Sequence, residues 1–542
     1  MASYLRKWIL PGLAIALCGA LGWILVHDAS RSSREPDKQA GPRPLPKPTF
    51  DRPNPGSKFG RQPQPTRTDE DDHSIPGERL VMFDSDEAYR NFLAGLEGSD
   101  LTLLGRIDRL RVLRLGYDDL NSLRDQLDDQ EPYGNYSVYV PDPPEESRGG
   151  GPGAGFGNSL YEWLGIPQDN ASYGEGVTIA MIDTGISPDS PLQNIRRIDL
   201  LAESGLDAPV FHPHGEQMAS ISRGNDPQMQ GISPSSPIIS IRIGDESGAA
   251  NSFLLAEAIV RAVDEGGDII NISMGSDYKS TIVNAAVDYA AENGVLIVAS
   301  AGNNGSPDLS HPAANDYVIS VGALDANSQH APFSNRGEDL NVAAPGVGIP
   351  ALSDGDLVWS SGTSPGTMVV TSLLAATASE MNLRINDAYE VFANNLTEVG
   401  PPGNDPFYGG GYPDFGRILD SNTTGLYDVA MVEPFLLPAS LDNPNDVLLF
   451  TVENRGTETV SRVTLNVESE LGLRPYPLGS LGPDEIQTVA LNIPPSMESL
   501  TLEAEASITT NLTDDRPTNN TVSGTLTLPS SEAGENGGSA DP

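Results

Sequence analysis

Cysteine is almost missing from this chain, since Cys18 is the single example among 542 residues. One thiol excludes an intrachain disulfide and any zinc site built from several cysteines. Basic residues are also scarce: 32 Lys and Arg stand against 75 Asp and Glu, which gives a formal net charge of −43. Such a surface repels phosphate, so we expect no nucleic-acid partner.

Long apolar runs are equally rare, and the one that stands out covers residues 8–26 after two basic residues. Its length is about that needed to span a bilayer. We therefore predict an export segment over 1–27, either an uncleaved signal anchor or a signal peptide. A buried core helix is the alternative, which the N-terminal position and the basic flank disfavour. Residues 28–75 are rich in proline and lack apolar periodicity, which predicts a stiff, disordered spacer.

Residues 76–145 predict a small α+β domain. Short strand and helix patterns follow one another in the order β-α-β-β-α-β, with the last strand expected at 136–140 and the first helix capped by Asp84. This order is that of the ferredoxin-like split unit. The Gly-rich stretch 146–157 follows and predicts an exposed linker that is open to proteolysis.

The remainder divides into an α/β part and an all-β part. From 158 to 424, nearly continuous apolar strands alternate with helical patterns, which predicts a doubly wound parallel sheet buried on both faces. From 425 to 529, apolar and polar residues alternate in short runs between turns, which predicts an Ig-like β-sandwich. The polar tail, 530–542, is expected to be disordered.

Four polar side chains lie at predicted strand ends or helix starts of the α/β part. Ligands collect at the carboxyl ends of strands in such sheets. Asp183 ends one strand, His214 opens a helix, Asn303 follows another strand, and Ser364 lies in a tight turn that enters a buried helix. A serine at a helix mouth can attack a carbonyl, a histidine can serve as its base, and a buried carboxylate can orient that base. An amide can stabilise the oxyanion that forms.

Each of these side chains also has an ordinary structural interpretation. Ser364 can be a helix N-cap, and Asp183 can close an Asx turn. His214 is one of six histidines, most of which we expect to lie on the surface or in the core. The sequence around Asn303 strongly favours a turn.

Together, however, the motifs resemble one family. The segment from about 158 to 420 is similar to the subtilisin-like serine peptidases (subtilases). The resemblance rests on Asp183-Thr184-Gly185, His214-Gly215, Ala301-Gly302-Asn303 and Gly362-Thr363-Ser364, in that order. Supporting stretches are Asn271–Gly275, Val321–Ala323, Phe333-Ser334, Ala344–Gly346 and Gly410–Asp414.

The resemblance implies a role for each residue. Ser364 would be the nucleophile, His214 the base and then the acid, and Asp183 the group that orients His214. Asn303 and the Ser364 N–H would form the oxyanion hole. The residues that would bind substrate are Ile243, Gly244, Ser273, Met274, Gly275, Ala301 and Gly302.

The resemblance also implies how the whole protein works. Residues 76–145 would be an inhibitory propeptide that is removed by cutting within 145–157, although a permanent N-terminal domain is the alternative. The function expected is an exported serine endopeptidase made as a zymogen, in the bacterial cell envelope or secreted. Its partners would be protein or peptide substrates and, through the N-terminal segment, a membrane. We expect a monomer that needs no cofactor for catalysis, and structural calcium, common in this family, is compatible with the acidity.

Two positions depart from the family pattern. Pro365 follows the expected nucleophile directly and should restrict Ser364 to extended backbone angles. Glu216 and Gln217 follow His214-Gly215 where the family usually has Thr-His. The competing hypothesis is therefore a catalytically inactive subtilase relative that acts as an envelope binding or scaffold protein.

Overall fold

A computed structural model describes residues 73–127, 130–142, 153–206, 209–224, 229–437, 445–494, 497, 499–508 and 512–527. The predicted export segment, nearly all of the spacer and the tail lie outside the described residues. Among the residues that are described, no helix is long and apolar enough to cross a membrane. These residues divide into two compact units, one covering 73–397 and 404–419 and the other 398–403 and 420–527.

The N-terminal part of the first unit is a four-stranded antiparallel sheet with two helices. Its elements are β1 (Glu78–Met82), α1 (Asp86–Gly95), β2 (Thr102–Ile107), β3 (Val112–Gly116), α2 (Leu120–Gln126) and β4 (Pro132–Tyr133). The strands are ordered β2-β3-β1-β4. The cap of α1 is Ser85 and not Asp84, because the Ser85 side chain accepts the Ala88 N–H. Within its strands, Leu80 and Val112 are fully buried in the hydrophobic cluster that also includes Ile182 and Phe253, while Leu113 is buried in a separate cluster with Leu123.

The predicted last strand of this small domain lies elsewhere. The strand that completes its sheet is the two-residue β4, which pairs with β1. The next strand, β5 (Ser137–Tyr139), leaves the sheet and pairs antiparallel with β9 (Ala249–Asn251). A period-two pattern predicts a strand but not its partner, which long-range contacts decide.

The centre of the first unit is a seven-stranded parallel sheet, as predicted. Its strands are β6 (Ile179–Asp183), β7 (Ile195–Asp199), β8 (Ile238–Arg242), β10 (Ile269–Ile272), β11 (Leu296–Ser300), β12 (Val318–Leu324) and β13 (Val342–Pro345). They are ordered β13-β12-β11-β10-β6-β8-β7. Every residue of β6, β8, β10 and β11 is buried, as expected of parallel strands that are covered on both faces.

Helices cover the two faces of this sheet. They are α3 (Leu160–Trp163), α4 (Leu200–Glu203), α5 (His214–Arg223), α6 (Ser252–Asp264), α7 (Thr281–Glu292), α8 (Thr363–Glu380), α9 (Ile385–Asn394) and α10 (Phe415–Asp420). Asn251 caps α6 and Ser280 caps α7 through their side chains. Helix α8 is buried from Thr363 to Ala378, which explains the unbroken run of small and apolar residues in its sequence.

Two short antiparallel pairs complete the first unit. They are the hairpin β14 (Ile349–Ser353) with β15 (Asp356–Ser360), and β16 (Leu396–Thr397) with β17 (Tyr412–Pro413). The hairpin leads directly into the turn that carries Ser364.

The second unit is all-β, as predicted. Its strands are β18 (Val429–Met431), β19 (Phe435–Leu437), β20 (Asp446–Asn454), β21 (Val460–Ser469), β22 (Arg474–Leu481), β23 (Ile486–Ile493), β24 (Ser499–Ile508) and β25 (Thr521–Thr527). They form two four-stranded sheets. The alternating apolar residues of β20, β21 and β24 share one buried hydrophobic cluster, with Phe450 and Leu465 fully buried within it.

Candidate active site

The candidate residues meet at one edge of the parallel sheet. The neighbouring strands β6, β8, β10 and β11 run parallel, so their carboxyl ends lie side by side. Asp183 ends β6, Ser273 follows β10, and Ala301 follows β11. Helices α5 and α8 both begin at this edge, with His214 and Thr363 as their first residues.

Asp183 and His214 form a buried hydrogen-bonded pair. Their Oδ1 and Nδ1 atoms are 2.8 Å apart, and Asp183 has no exposed surface. Thr184 donates its backbone N–H to the same Oδ1 and accepts the Gly215 N–H on its hydroxyl. Since a carboxylate only accepts, Nδ1 carries the ring proton and Nε2 is left to act as a base.

The turn after β6 and the start of α5 approach so closely that a side chain has no room. A Cβ on Gly215 would lie 2.1 Å from the Gly185 carbonyl oxygen. Gly185 itself has φ of +80°, which other residues rarely adopt. Gly185 and Gly215 therefore let Asp183 and His214 come within hydrogen-bonding distance.

His212 supports the backbone of His214. Its Nδ1 accepts the His214 N–H at 3.3 Å. Burial lowers the pKa of His212, and the nearby His214 ring lowers it further. Both effects favour the neutral ring, which this acceptor role requires.

Ser364 lies in the first turn of α8 and is almost fully buried. Its hydroxyl donates to the Ser273 carbonyl oxygen at 3.2 Å. The expectation that Pro365 would hold Ser364 in an extended conformation is wrong, because Ser364 is the second helical residue of α8. A residue before proline disfavours helical angles, so the surroundings must stabilise this conformation.

Asn303 has its amide orientation determined by Thr363. The Asn303 Oδ1 accepts both the Thr363 N–H and the Thr363 hydroxyl, each at 2.9 Å. Only the amide oxygen can accept these two donors, so Nδ2 must point the other way. It donates to the Asp142 carbonyl oxygen at 3.2 Å. The Asn303 amide thus donates to a backbone carbonyl of the same chain.

The residues predicted to bind substrate are engaged in different ways. The side chains of Ile243, Met274 and Ala301 are fully buried. The N–H groups of Ile243 and Gly244 both donate to the Asp183 carbonyl oxygen. These groups therefore hold the ends of β6 and β8 together.

Position 302 has room for glycine and for no larger residue. A Cβ there would lie 2.4 Å from both Asn335 and Ser310 side-chain atoms, and its φ is +108°. Its N–H donates to the Thr363 hydroxyl at 3.2 Å, which links the end of β11 to the start of α8.

Gly275 is the predicted substrate-binding residue that contacts an extended chain. It exchanges two backbone hydrogen bonds with Tyr139, of 2.9 and 3.0 Å. On the other side of the same strand, the Val140 N–H donates to the Gly248 carbonyl oxygen at 3.0 Å. The sequence interpretation missed the Gly248–Asn251 edge, for which the run of small residues at 247–250 is a weak signal.

No metal centre emerges at this edge. Within the described part of the chain, no group of three or more His, Cys, Asp and Glu side chains is placed to hold a metal ion. The ionisable side chains of Asp183 and His214 are instead paired with each other.

Comparison with known proteins identifies the family of the α/β part. The subtilase family model matches residues 174–411. A thermostable alkaline protease from Halalkalibacterium halodurans is 30% identical over 252 residues, which cover 45% of this chain and 68% of the relative. Subtilisin Savinase from Lederbergia lenta is 32% identical over 205 residues, covering 37% of this chain and 76% of the relative. The chain belongs to the subtilase family.

Other subtilase relatives are matched over less of their length. A thermophilic serine proteinase from Bacillus sp. (strain AK1) is 34% identical over 271 residues, so the chain spans 64% of that relative. Among solved structures, a serine-to-alanine mutant of the epidermin leader peptide processing serine protease from Staphylococcus aureus aligns with a TM-score of 0.54. It is 19% identical and covers 64% of this chain and 99% of its own, so it supports the fold alone.

Proposed function

We propose that this subtilase is an exported serine endopeptidase made as a zymogen. The observation that carries the proposal is the Asp183–His214 hydrogen bond of 2.8 Å. It lies at the sheet edge where Ser364 is in the first turn of α8 and Asn303 meets a main-chain carbonyl. Protein or peptide substrates are proposed because the chain belongs to a family of peptidases. Catalysis of this kind uses no cofactor, and the acidity of the chain is compatible with structural calcium.

The reaction proposed is acyl transfer to Ser364 followed by hydrolysis. Ser364 Oγ attacks the scissile carbonyl while His214 Nε2 takes the hydroxyl proton, and Asp183 stabilises the imidazolium. Asn303 Nδ2 and the Ser364 N–H hold the negative oxygen of the tetrahedral intermediate. His214 then gives its proton to the leaving nitrogen, and water releases the acyl group by the same steps in reverse order.

The N-terminal part is proposed to inhibit this site until it is cut. Its strand order β2-β3-β1-β4 fits a ferredoxin-like unit, and β5 leaves it to lie between Gly248 and Gly275 as an added strand. Asp142 then meets Asn303. An extended chain in this position would exclude substrate from the cleft.

The cut is proposed to fall between Pro141 and Ala154. The Ala154 N–H donates to the Asp325 carboxylate at 2.9 Å, and the next residues are bonded to the β13–β14 connection. Residues from Ala154 onwards are thus attached to the peptidase part, and residues up to Asp142 already occupy the cleft. A bond between these two attachments can be broken without releasing either end.

The remaining parts are proposed to place the enzyme outside the cell. Residues 1–27 would export the chain and either anchor it in the membrane of a bacterial envelope or be removed. The second unit, with two antiparallel sheets over one core, fits an Ig-like accessory module of adhesion type. We expect the protein to work as a monomer.

An inactive relative that serves as a binding protein is the second candidate. Pro365 favours it, and so does the Ser364 hydroxyl, which donates to Ser273 instead of to His214. To give its proton to His214, the Ser364 hydroxyl would have to turn about its Cα–Cβ bond, and catalytic hydrogen bonds often tighten only when substrate binds. We therefore favour the active enzyme.

The experiment compares the wild-type chain with Ser364→Ala and a matched control, Ser372→Ala. Ser372 is equally buried in the same helix, and its hydroxyl has no hydrogen-bond partner among the described residues. Expressed in a host that lacks envelope proteases, the wild type and Ser372→Ala should lose the N-terminal part and react with a fluorophosphonate probe. Ser364→Ala should stay uncut and unlabelled.

Intact mass and probe labelling separate the alternatives. Three uncut, unlabelled proteins would favour the inactive relative. Identical cutting in all three would mean that another protease processes the chain, and self-processing would be abandoned.

A further inference from the structure

A row of buried polar groups leads from the interior of α8 back to Ser364. The Thr371 hydroxyl donates to Asn271 Oδ1 at 3.0 Å, and Asn271 Nδ2 donates to Ser273 Oγ at 3.0 Å. Ser273 Oγ then donates to the Ser364 carbonyl oxygen at 3.3 Å. Thr371, Asn271 and Ser273 have no exposed surface. We infer that Thr371 is a positioning residue for the nucleophile, an inference that rests on the proposed role of Ser364.

The hydrogen bonds of this row all run in one direction, away from Thr371 and towards Ser364. In the structure the Thr371 hydroxyl donates to the amide oxygen of Asn271, which leaves the amide nitrogen facing Ser273. The Ser273 hydroxyl must accept from that nitrogen, so its own proton is free to reach the Ser364 carbonyl. Without the Thr371 hydroxyl, the buried amide oxygen of Asn271 loses its donor. An amide that turns over to accept the Ser273 hydroxyl instead would release Ser364.

Ser364 needs this support because of the residue that follows it. Pro365 disfavours helical angles at Ser364, which nevertheless lies in the first turn of α8. Ser273 holds Ser364 at two points, since its carbonyl oxygen accepts the Ser364 hydroxyl and its hydroxyl donates to the Ser364 carbonyl. Asn303 secures the preceding residue, Thr363, from the other side. The buried row thus offsets a backbone preference that would otherwise move the reacting oxygen.

The test compares Thr371→Val with Thr377→Val in the full chain. Thr377 is the matched control because it is equally buried in α8 and its hydroxyl bonds only locally, to the Leu373 carbonyl. On a peptide ester, Thr371→Val should lower kcat by about 10- to 100-fold with little change in KM, because a displacement of about 1 Å at the reacting atom is costly. Thr377→Val should keep the wild-type kcat, and Thr371→Ser, which restores the hydroxyl, should recover most of it.

A double mutant tests whether the residues act through one row. Ser273→Ala removes the last link but keeps the carbonyl that accepts the Ser364 hydroxyl. If Thr371 acts through Ser273, the double variant Thr371→Val with Ser273→Ala should lose little more kcat than Ser273→Ala alone. Additive losses would overturn the inference, as would an unchanged kcat in Thr371→Val or equal losses in Thr371→Val and Thr377→Val.

Crystal structures of the variants supply a readout that does not depend on activity. The distance from Ser273 Oγ to the Ser364 carbonyl oxygen should lengthen in Thr371→Val and stay unchanged in Thr377→Val. An unchanged distance in Thr371→Val would refute the positioning role even in an active enzyme. A wild-type chain that neither labels nor hydrolyses would refute the proposed function instead, while the crystal structures would still decide how Ser364 is positioned.

Discussion

At the scale of single residues, Asp405 is a buried carboxyl group whose hydrogen-bond partners carry no positive charge. Its Oδ1 accepts the N–H groups of Phe407 and Tyr408, and its Oδ2 has no partner among the described residues. Burial, aided by the nearby Glu338, raises the pKa of Asp405 to about 7, against the lowering effect of the two N–H groups. An orphaned oxygen and a raised pKa are both consistent with a neutral acid in the folded protein.

Asp405→Asn should therefore change how stability depends on pH. Between about pH 4 and pH 7 the unfolded chain releases this proton while the folded chain keeps it, so stability falls as pH rises, by up to about 1.4 kcal/mol per pH unit. The amide cannot ionise and can still accept the Phe407 N–H. The variant should gain stability over the parent steadily up to about pH 7 and no further above it.

Urea unfolding at several pH values measures this difference. The parent should carry Ser364→Ala so that neither protein digests itself. Parallel stability curves for the two proteins from pH 4.5 to pH 8 would mean that Asp405 is ionised in the folded state, and the prediction would fail.

At the scale of elements, α6 is capped from two parts of the chain. Its own cap, Asn251, accepts the Leu254 N–H at 3.0 Å. Asn135, from the N-terminal part, accepts the Phe253 N–H at 3.1 Å and the Ser252 hydroxyl at 3.0 Å. The start of this helix is thus one of the places where the N-terminal part is joined to the peptidase part.

Asn135→Ala should weaken this joint and, once the proposed cut has removed the N-terminal part, leave the enzyme unchanged. The substitution leaves the buried Phe253 N–H without a partner, at a cost of roughly 1–3 kcal/mol. Asn251→Ala removes a cap that remains after processing, at a cost of about 0.5–2 kcal/mol. We therefore expect Asn135→Ala to lower stability only in the uncut chain and Asn251→Ala to lower it in both forms.

Urea unfolding of the uncut Ser364→Ala chain and of the processed, fluorophosphonate-blocked enzyme gives both comparisons. A normal unfolding midpoint for Asn135→Ala in the uncut chain would remove this contact from the joint. Equal effects in the two forms would show that the N-terminal part stays attached after the cut.

At the scale of the whole molecule, the net charge of −43 opposes compact folding. Like charges repel through water over a Debye length of about 30 Å at 0.01 M salt, which shrinks to about 3 Å at 1 M. The unfolded chain separates these charges more widely, so screening favours the folded state. Thermal midpoints should therefore rise with ionic strength.

Thermal melts of the Ser364→Ala chain in EDTA test this expectation. Sodium chloride and choline chloride at equal ionic strength should raise the midpoint equally, since screening does not depend on the cation. A rise with sodium alone would indicate a specific cation site, and a midpoint that falls with salt would contradict the argument.

The sequence alone determined the sheet, the order of its parts and the candidate residues. Continuous apolar runs predict parallel strands because both faces of such strands are buried, and that local rule holds for β6, β8, β10 and β11. The carboxyl ends of these strands then bring Asp183 and Asn303 to one edge without further information. Local patterns were sufficient here because the chemistry of the site lies in short motifs.

Only the tertiary structure decided what those residues touch. The sequence placed 136–140 as the last strand of the small domain, yet β5 pairs with β9, because a strand pattern does not name its partner. The sequence predicted extended backbone angles at Ser364. In the structure, hydrogen bonds with Ser273 and Asn303 stabilise the helical start of α8. The hydrogen bond from Thr371 to Asn271 joins residues 100 positions apart. Such contacts depend on packing between distant segments, which the local pattern of apolar and polar residues does not reveal.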